Sequence, residues 1–190
     1  MTYYDQKAQE FFDGTINVDM TSLYSHFIPL IPEGGLVLDA GCGSGRDSKA
    51  FKQRGFKVHA IDASEVLGRL AEDKINQKVE ITTFQQFTSS ERFDAIWACA
   101  SLLHVPMSEL PSAFNNLSNY LKPKGAFYCS FKYGNDEVER NGRQFTNLNE
   151  SLLDNVISDS GFTVMKIWCT SDLRKGRDTE KWLNAILLKD

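Results

Sequence analysis

One stretch constrains this chain more than any other. Leu36-Val37-Leu38-Asp39-Ala40-Gly41-Cys42-Gly43-Ser44-Gly45-Arg46-Asp47 is an apolar run that ends in an acid and passes into three glycines at alternate positions. It reads as a strand entering a glycine loop before a helix. Glycines let the backbone turn sharply and approach a ligand with no side chain in the way, and the helix that follows presents unpaired N–H groups at its start. Dinucleotide-binding loops use the same physics with the spacing G-x-G-x-x-G. Here Gly45 lies two residues after Gly43, and Arg46 stands where the third glycine would be. Asp39 would repel a pyrophosphate and offers an acceptor to an ammonium instead.

A nucleoside joined to a zwitterionic amino acid satisfies these constraints, and S-adenosylmethionine is such a ligand. Phe56-Lys57-Val58-His59-Ala60-Ile61-Asp62 reads as a second strand ending in an acid. Its position fits the ~20-residue spacing expected of a ribose-binding carboxylate. Asp62 would then accept from both ribose hydroxyls. The alternative is a carboxylate that caps the helix starting near Ser64.

With these residues, from about Tyr3 to Lys189, the chain resembles the class I S-adenosylmethionine-dependent methyltransferases. Asp39-Ala40-Gly41-Cys42-Gly43-Ser44-Gly45 matches the first motif of that family and Asp62 its acidic second motif. Phe93-Asp94-Ala95-Ile96-Trp97-Ala98-Cys99-Ala100-Ser101-Leu102-Leu103-His104-Val105 matches its fourth strand and following loop, and Leu121-Lys122-Pro123-Lys124-Gly125 the turn before its fifth. Within the family the chain is similar to small bacterial proteins of the tellurite-resistance and methyltransferase type 11/12 kind. The resemblance implies S-adenosylmethionine as cofactor and S-adenosylhomocysteine as product. It carries the cofactor-binding role to Tyr4, Asp39, Gly41, Cys42, Gly43, Arg46, Asp47, Asp62, Ala63, Gln85, Gln86, Ala98 and Cys99. Gln85 or Gln86 would bond the adenine amine where the family more often has Asp, and N-terminal helices carrying Tyr3 and Tyr4 would fold over the methionyl end.

The chain has 190 residues, which suits one domain: residues 1–33 as a helical cap and 34–190 as a Rossmann-like core. No secretion signal is legible at the N-terminus, and no apolar run approaches the ~20 residues of a membrane span, so a cytoplasmic protein is expected. Cys42, Cys99, Cys129 and Cys169 are widely spaced, with no metal-ligand pattern, and read as free thiols. Cys99 lacks the Pro-Cys context of base-attacking cysteines. A net charge of −4 does not indicate nucleic acid, without excluding a local basic patch. Monomer and homodimer are both compatible with the sequence.

Helices are expected near Tyr4–Phe12 and Met20–Leu30, followed by alternation of strand and helix: a helix over Arg46–Arg54, the second strand, a helix over Ser64–Ile75, a strand near Val79–Phe84, the fourth strand, a helix over Pro106–Leu121 and the strand Ala126–Phe131. Alternation of this kind implies a parallel sheet with helices on both faces. Thr163–Thr170 and Leu183–Lys189 suit a closing antiparallel pair. The expected fold is α/β, a Rossmann-like three-layer sandwich whose seven-stranded, mostly parallel sheet has one antiparallel edge strand.

Methyl transfer is a displacement at a sulfonium methyl, so positioning and exclusion of water supply much of the acceleration. His104 could take a proton from a hydroxyl or thiol, or be a turn residue bonding the backbone. Tyr133, Arg143, Arg174 and Arg177, in segments after the fifth strand, would suit an anionic, aromatic or phosphorylated acceptor; the alternative is that these cations are solvated or paired with nearby acids. The Asn/Asp-Pro-Pro-aromatic tetrapeptide of amino-methylating DNA enzymes is absent. The expected activity is methyl transfer to a small molecule, with RNA or protein as alternative acceptors and a non-catalytic cofactor-binding regulator as the reading from another class.

Overall fold

The computed structural model describes residues 7–140, 142–174 and 176–190; Tyr3 and Tyr4 lie outside them. Two N-terminal helices, α1 (Ala8–Thr15) and α2 (Thr21–Phe27), lead through a 3₁₀ turn, Ile28–Leu30, into β1 (Leu36–Ala40). The chain then alternates through α3 (Arg46–Gln53), β2 (Lys57–Asp62), α4 (Glu65–Ile75), β3 (Val79–Ile81), β4 (Phe93–Ala98), α5 (Leu110–Asn119) and β5 (Leu121–Lys132). A hairpin follows, β6 (Glu137–Arg140) and β7 (Arg143–Thr146), then α6 (Glu150–Ile157), β8 (Phe162–Ser171) and β9 (Lys181–Lys189).

Seven strands form one sheet in the order β3-β2-β1-β4-β5-β9-β8. The first five in the chain run parallel, and β9 is antiparallel to both its neighbours. The reversal expected at the edge therefore belongs to an edge pair, with the reversed strand one place in. Strand order turns back between β1 and β4, the position at which open α/β sheets leave a crevice beyond their strand ends.

Alternate side chains of the central strands face opposite layers, as a pleated strand requires. Leu38, Ile96 and Phe127 pack under Phe114 of α5 and Leu153 and Val156 of α6. Val37, Ala95, Trp97 and Tyr128 pack under Phe27 of α2, Phe51 of α3 and Ala71 of α4. The second layer is aromatic: the Trp97 and Tyr128 rings stack with centroids 3.9 Å apart and planes 14° apart, and Phe27 closes on Trp97 at 5.0 Å. Stacking of this kind adds about 0.5–1.5 kcal/mol to the area buried.

The structure departs from the sequence expectation in several places, among them β5, which begins at Leu121 where a turn before Ala126 was expected. Residues 137–140 and 143–146, for which no strand is expected from the sequence, form the β6–β7 hairpin, and α6 is a further element not expected although Asn149 caps it, accepting from the Leu152 amide at 3.0 Å. The third strand ends at Ile81 rather than near Phe84 because the chain turns at Thr83, and Asn116 of α5 holds that turn by donating to the carbonyls of Phe84 and Phe87 at 2.8 and 2.9 Å. α5 begins at Leu110 rather than Pro106; residues 106–109 form the turn before it.

Candidate functional site

The glycine loop leaves β1 with Gly41, Gly43 and Gly45 all left-handed, at φ +82°, +54° and +74°. Two of these positions have no room for a side chain: a Cβ on Gly41 would stand 2.5 Å from Cβ of Ser101, and one on Gly45 would stand 2.9 Å from Cγ2 of Ile75. The loop amides turn inward. Those of Gly41 and Cys42 donate to the Ile61 carbonyl at 2.9 Å, that of Gly43 to Oδ2 of Asp62 at 2.8 Å, and that of Gly45 to the Cys42 carbonyl at 2.9 Å. Four amides of the loop are thus engaged within the protein. Asp62 also accepts from the Ser64 amide at 2.9 Å through Oδ1, so its carboxylate ties the loop to the start of α4.

Behind the loop lies a buried polar network. Asp47 accepts from both Nε and Nη2 of Arg46 at 2.8 Å, from the Trp97 indole at 2.9 Å and from the Tyr24 hydroxyl. Burial pushes this carboxyl up, but Arg46, Tyr24 and Trp97 outweigh it and hold the group below its ordinary range. Asp39 meets the opposite fate. It is buried, accepts from Oγ of Ser48 at 2.5 Å, and is lifted well above the carboxylate range by burial and then by the charge of Asp47. Carboxyls so displaced in opposite directions divide their roles: Asp47 is the ionised centre that joins α2, α3 and β4, and Asp39 a cap that fixes α3 to β1.

In front of the loop, an open cleft of about 1030 Å³, part of it solvent, brings together Gly41, Cys42, Gly43, Arg46, Asp47, Cys99, His104, Arg143, Arg174 and Arg177. Its far wall is built from Ser130 and Lys132 at the end of β5, Phe145 of β7, and Asp172, Arg174, Arg177 and Trp182 around the β8–β9 connection. α1 forms another wall: Phe11 lies 3.2 Å from where a Gly43 Cβ would be, and Oγ1 of Thr15 is 3.1 Å from Oγ of Ser44. Six expected cofactor residues are not on this cleft's wall: Asp39, Asp62, Ala63, Gln85, Gln86 and Ala98. Asp39 sits behind the loop, where it accepts from Oγ of Ser48. Gln85 donates to Glu109 at 2.9 Å. Tyr133 does not line the cleft either: its hydroxyl bonds Glu150 at 3.0 Å and Nζ of Lys181 lies over its ring at 4.7 Å, while the preceding residue, Lys132, faces the cleft. Lys132 is the last residue of β5, and extended backbone turns the side chain that follows it to the opposite side.

Tyr24, Trp97, Phe11 and Thr15 were not read as site residues, and only helical spacing placed Tyr24 and Phe11 at all. Cys99 is no nucleophile, since burial raises its thiol to about 12. His104 Nδ1 lies 2.7 Å from the Gln144 carbonyl, so Nδ1 carries the proton that is donated there and Nε2 is the basic nitrogen. Burial, with Arg143 and Lys132 beside it, lowers this imidazole to about 4. It is neutral at pH 7 and too weak a base to deprotonate an amine or alcohol well. The stability consequence has a definite sign. The unfolded chain binds this proton near the ordinary histidine value of 6.5 and the folded chain near 4, so stability falls as pH drops between them, by roughly 3 kcal/mol at most. His104→Gln is expected to remove most of that acid sensitivity in urea titrations at pH 7 and pH 4.5; an unchanged difference would refute it.

An open, mostly parallel sheet with its glycine loop after β1 and a cleft at the reversal of strand order defines the class I methyltransferase fold. Residues 37–125 match the family described as "Methyltransferase domain". A ubiquinone biosynthesis O-methyltransferase of Azoarcus sp. (strain BH72) is 34% identical over 104 residues, 51% of this chain and 44% of that one. The chain spans about half the length of the curated relatives it matches. Among solved structures, Burkholderia thailandensis 1,6-didemethyltoxoflavin-N1-methyltransferase, with its acceptor and S-adenosylhomocysteine bound, superposes with a TM-score of 0.76 at 20% identity, covering 98% of this chain and 83% of that one. The [4+2]-cyclase SpnF superposes with a TM-score of 0.72 at 17% identity, covering 89% and 78%. A fold that also serves a cyclase leaves activity to be argued from the site. Among the described residues, no helix is long and apolar enough to cross a membrane.

Proposed function

We propose that this chain is an S-adenosylmethionine-dependent methyltransferase whose acceptor is a small molecule carrying negative charge. The observation that carries the reading is continuity: the backbone of Gly41–Gly43 and the cations Arg46, Lys132, Arg143, Arg174 and Arg177 line one cleft. A relative named for ubiquinone O-methylation and a fold neighbour that methylates a small heterocycle support a small acceptor.

The residues fit an adenosyl amino acid better than a dinucleotide. The surface of the loop at Gly43 is bare backbone beneath Phe11, and four of its amides are engaged within the protein. Arg46 supplies the cation for the amino-acid carboxylate, and Asp62, with Ala63, Gln85, Gln86 and Ala98, the nucleoside side; Tyr4 is proposed at the methionyl end. When bound, the cofactor supplies a sulfonium methyl, an electrophile that needs no covalent catalyst. The protein's work is then orientation. Phe11, Val18, Leu103 and Trp182 give the acceptor an apolar bed, and the cations of the far wall hold its charge by charge-assisted hydrogen bonds.

Calorimetric titration tests the reading directly: S-adenosylmethionine and S-adenosylhomocysteine are both expected to bind. Asp62→Ala is expected to weaken each about tenfold, or about 1.4 kcal/mol, because Gly43 loses the acceptor that fixes its amide. Equal affinity in that variant would remove Asp62 from the site. Methyl-labelled cofactor incubated with small metabolites, RNA and protein is expected to label the small-molecule fraction. Label in RNA or protein would change the acceptor class, and binding without transfer would make the chain a cofactor-binding regulator.

A further inference from the structure

The two carboxylates of the cleft are bound in the same way. Asp47 accepts from Nε and Nη2 of Arg46, from the Trp97 indole and from the Tyr24 hydroxyl. Asp172, buried at the start of the β8–β9 connection, accepts from Nε and Nη2 of Arg174 at 2.9 and 2.5 Å, from the Arg174 amide at 2.9 Å and from the Trp182 indole at 3.2 Å. A carboxylate has about four lone-pair sites, and here each has four donors. Neither can take a proton from an acceptor without surrendering a bidentate arginine. The thiols of Cys42 and Cys99 are held protonated by burial, and His104 is flanked by Lys132 and Arg143.

Charge points the same way. Five cations, Arg46, Lys132, Arg143, Arg174 and Arg177, face the cleft with these two carboxylates. Glu180, just outside, bonds Lys132 at 2.5 Å and Arg177 at 3.5 Å. Lys132 and Arg143 are braced over one ring, with Nζ 5.2 Å and the guanidinium carbon 5.0 Å from the Phe145 centroid. Such a wall repels an ammonium and lowers the energy of an anion.

Resting on the methyltransferase reading, we infer that the acceptor is an oxyanion already ionised at neutral pH, a carboxylate or an acidic enol or phenol, and that the charged oxygen is the atom methylated. A lone pair of that oxygen forms the new O–C bond while the C–S bond of the sulfonium breaks, its electron pair leaving with sulfur. An anion and a cation become two neutral groups, and no proton changes hands. The cleft needs cations to hold the oxyanion and no base.

The test uses the full chain with methyl-labelled S-adenosylmethionine and a metabolite extract divided beforehand into anion-exchanger-retained and cation-exchanger-retained pools. Label is expected in products from the anionic pool, and for a carboxylate it is released as volatile methanol by alkali. For the labelled acceptor, kcat/KM is expected to stay level between about pH 6 and 9, because no proton is lost in the step. Arg143→Gln and Lys132→Gln are each expected to raise KM for that acceptor about tenfold or more while calorimetric affinity for S-adenosylhomocysteine is unchanged. Products from the cationic pool, a rate rising about tenfold per pH unit over that range, an unmoved KM in both variants, or cofactor binding with no labelled product would each overturn the inference. Failure of S-adenosylhomocysteine to bind at all would overturn the methyltransferase reading beneath it, and calorimetry separates that outcome from the rest.

Discussion

Asp47→Ala is expected to lower the unfolding free energy by about 3–5 kcal/mol, the usual cost of removing one partner from a buried ion pair. Asp47 is only 6% exposed and is the common acceptor for Arg46, Trp97 and Tyr24. Its loss would leave a largely buried guanidinium with no anion and two aromatic polar groups with no acceptor. Because those groups come from α2, α3 and β4, the cost falls on the junction of the N-terminal helices with the sheet. Domains are stable by only about 5–15 kcal/mol, so a loss of this size takes from about a fifth to all of that margin. Tyr24→Phe deletes a single donor and is expected to cost about 1 kcal/mol. Urea denaturation read by tryptophan fluorescence checks both. A loss under about 1 kcal/mol for Asp47→Ala would mean that the network is incidental to the fold.

Much of this arrangement was legible before the structure, and the reason differs from part to part. The strands and helices of the nucleotide-binding half announce themselves because each is local: an apolar run, a glycine loop, an amphipathic turn. Glycine spacing argues against a pyrophosphate, and the amides of Gly41, Cys42 and Gly43 are engaged within the protein. What local pattern does not encode is which partner a carboxylate meets. Asp39 and Asp47 lie eight residues apart around the same loop, and only the packing of Arg46, Trp97 and Tyr24 around one of them decides which is ionised. Tyr133 lies off the cleft for a simpler reason: one residue of alternation separates the cleft side, taken by Lys132, from the side where Tyr133 meets Glu150. The hairpin of β6 and β7 is short and rich in charge, Glu137, Glu139, Arg140 and Arg143, so it lacks the apolar alternation by which strands are recognised. Yet it delivers Arg143 and Phe145 to the cleft.

Gly43→Arg is expected to abolish cofactor binding while the sheet survives, a loss of at least about 100-fold in calorimetric affinity, or about 2.8 kcal/mol. Gly43 differs from its neighbours in the loop. Gly41 and Gly45 are closed off by atoms of the core, Ser101 and Ile75, so a side chain at either attacks the fold itself. At Gly43 the nearest atoms belong to the Phe11 ring, and the position opens into the cleft. An arginine there occupies the space between the loop and α1 and adds a cation beside Arg46. Gly43→Ala is the necessary control. Its left-handed backbone, at φ +54°, costs a Cβ about 1–2 kcal/mol, and Phe11 must yield by a few tenths of an ångström, but the cleft stays open. The alanine variant is therefore expected to lose stability with a modest change in affinity, and the arginine variant to lose affinity beyond its loss of stability. Circular dichroism and urea titration establish that each variant is folded before binding is compared. Tight binding by a folded Gly43→Arg protein would place the cofactor away from this loop and break the link between the glycines and the cleft on which the proposed function stands.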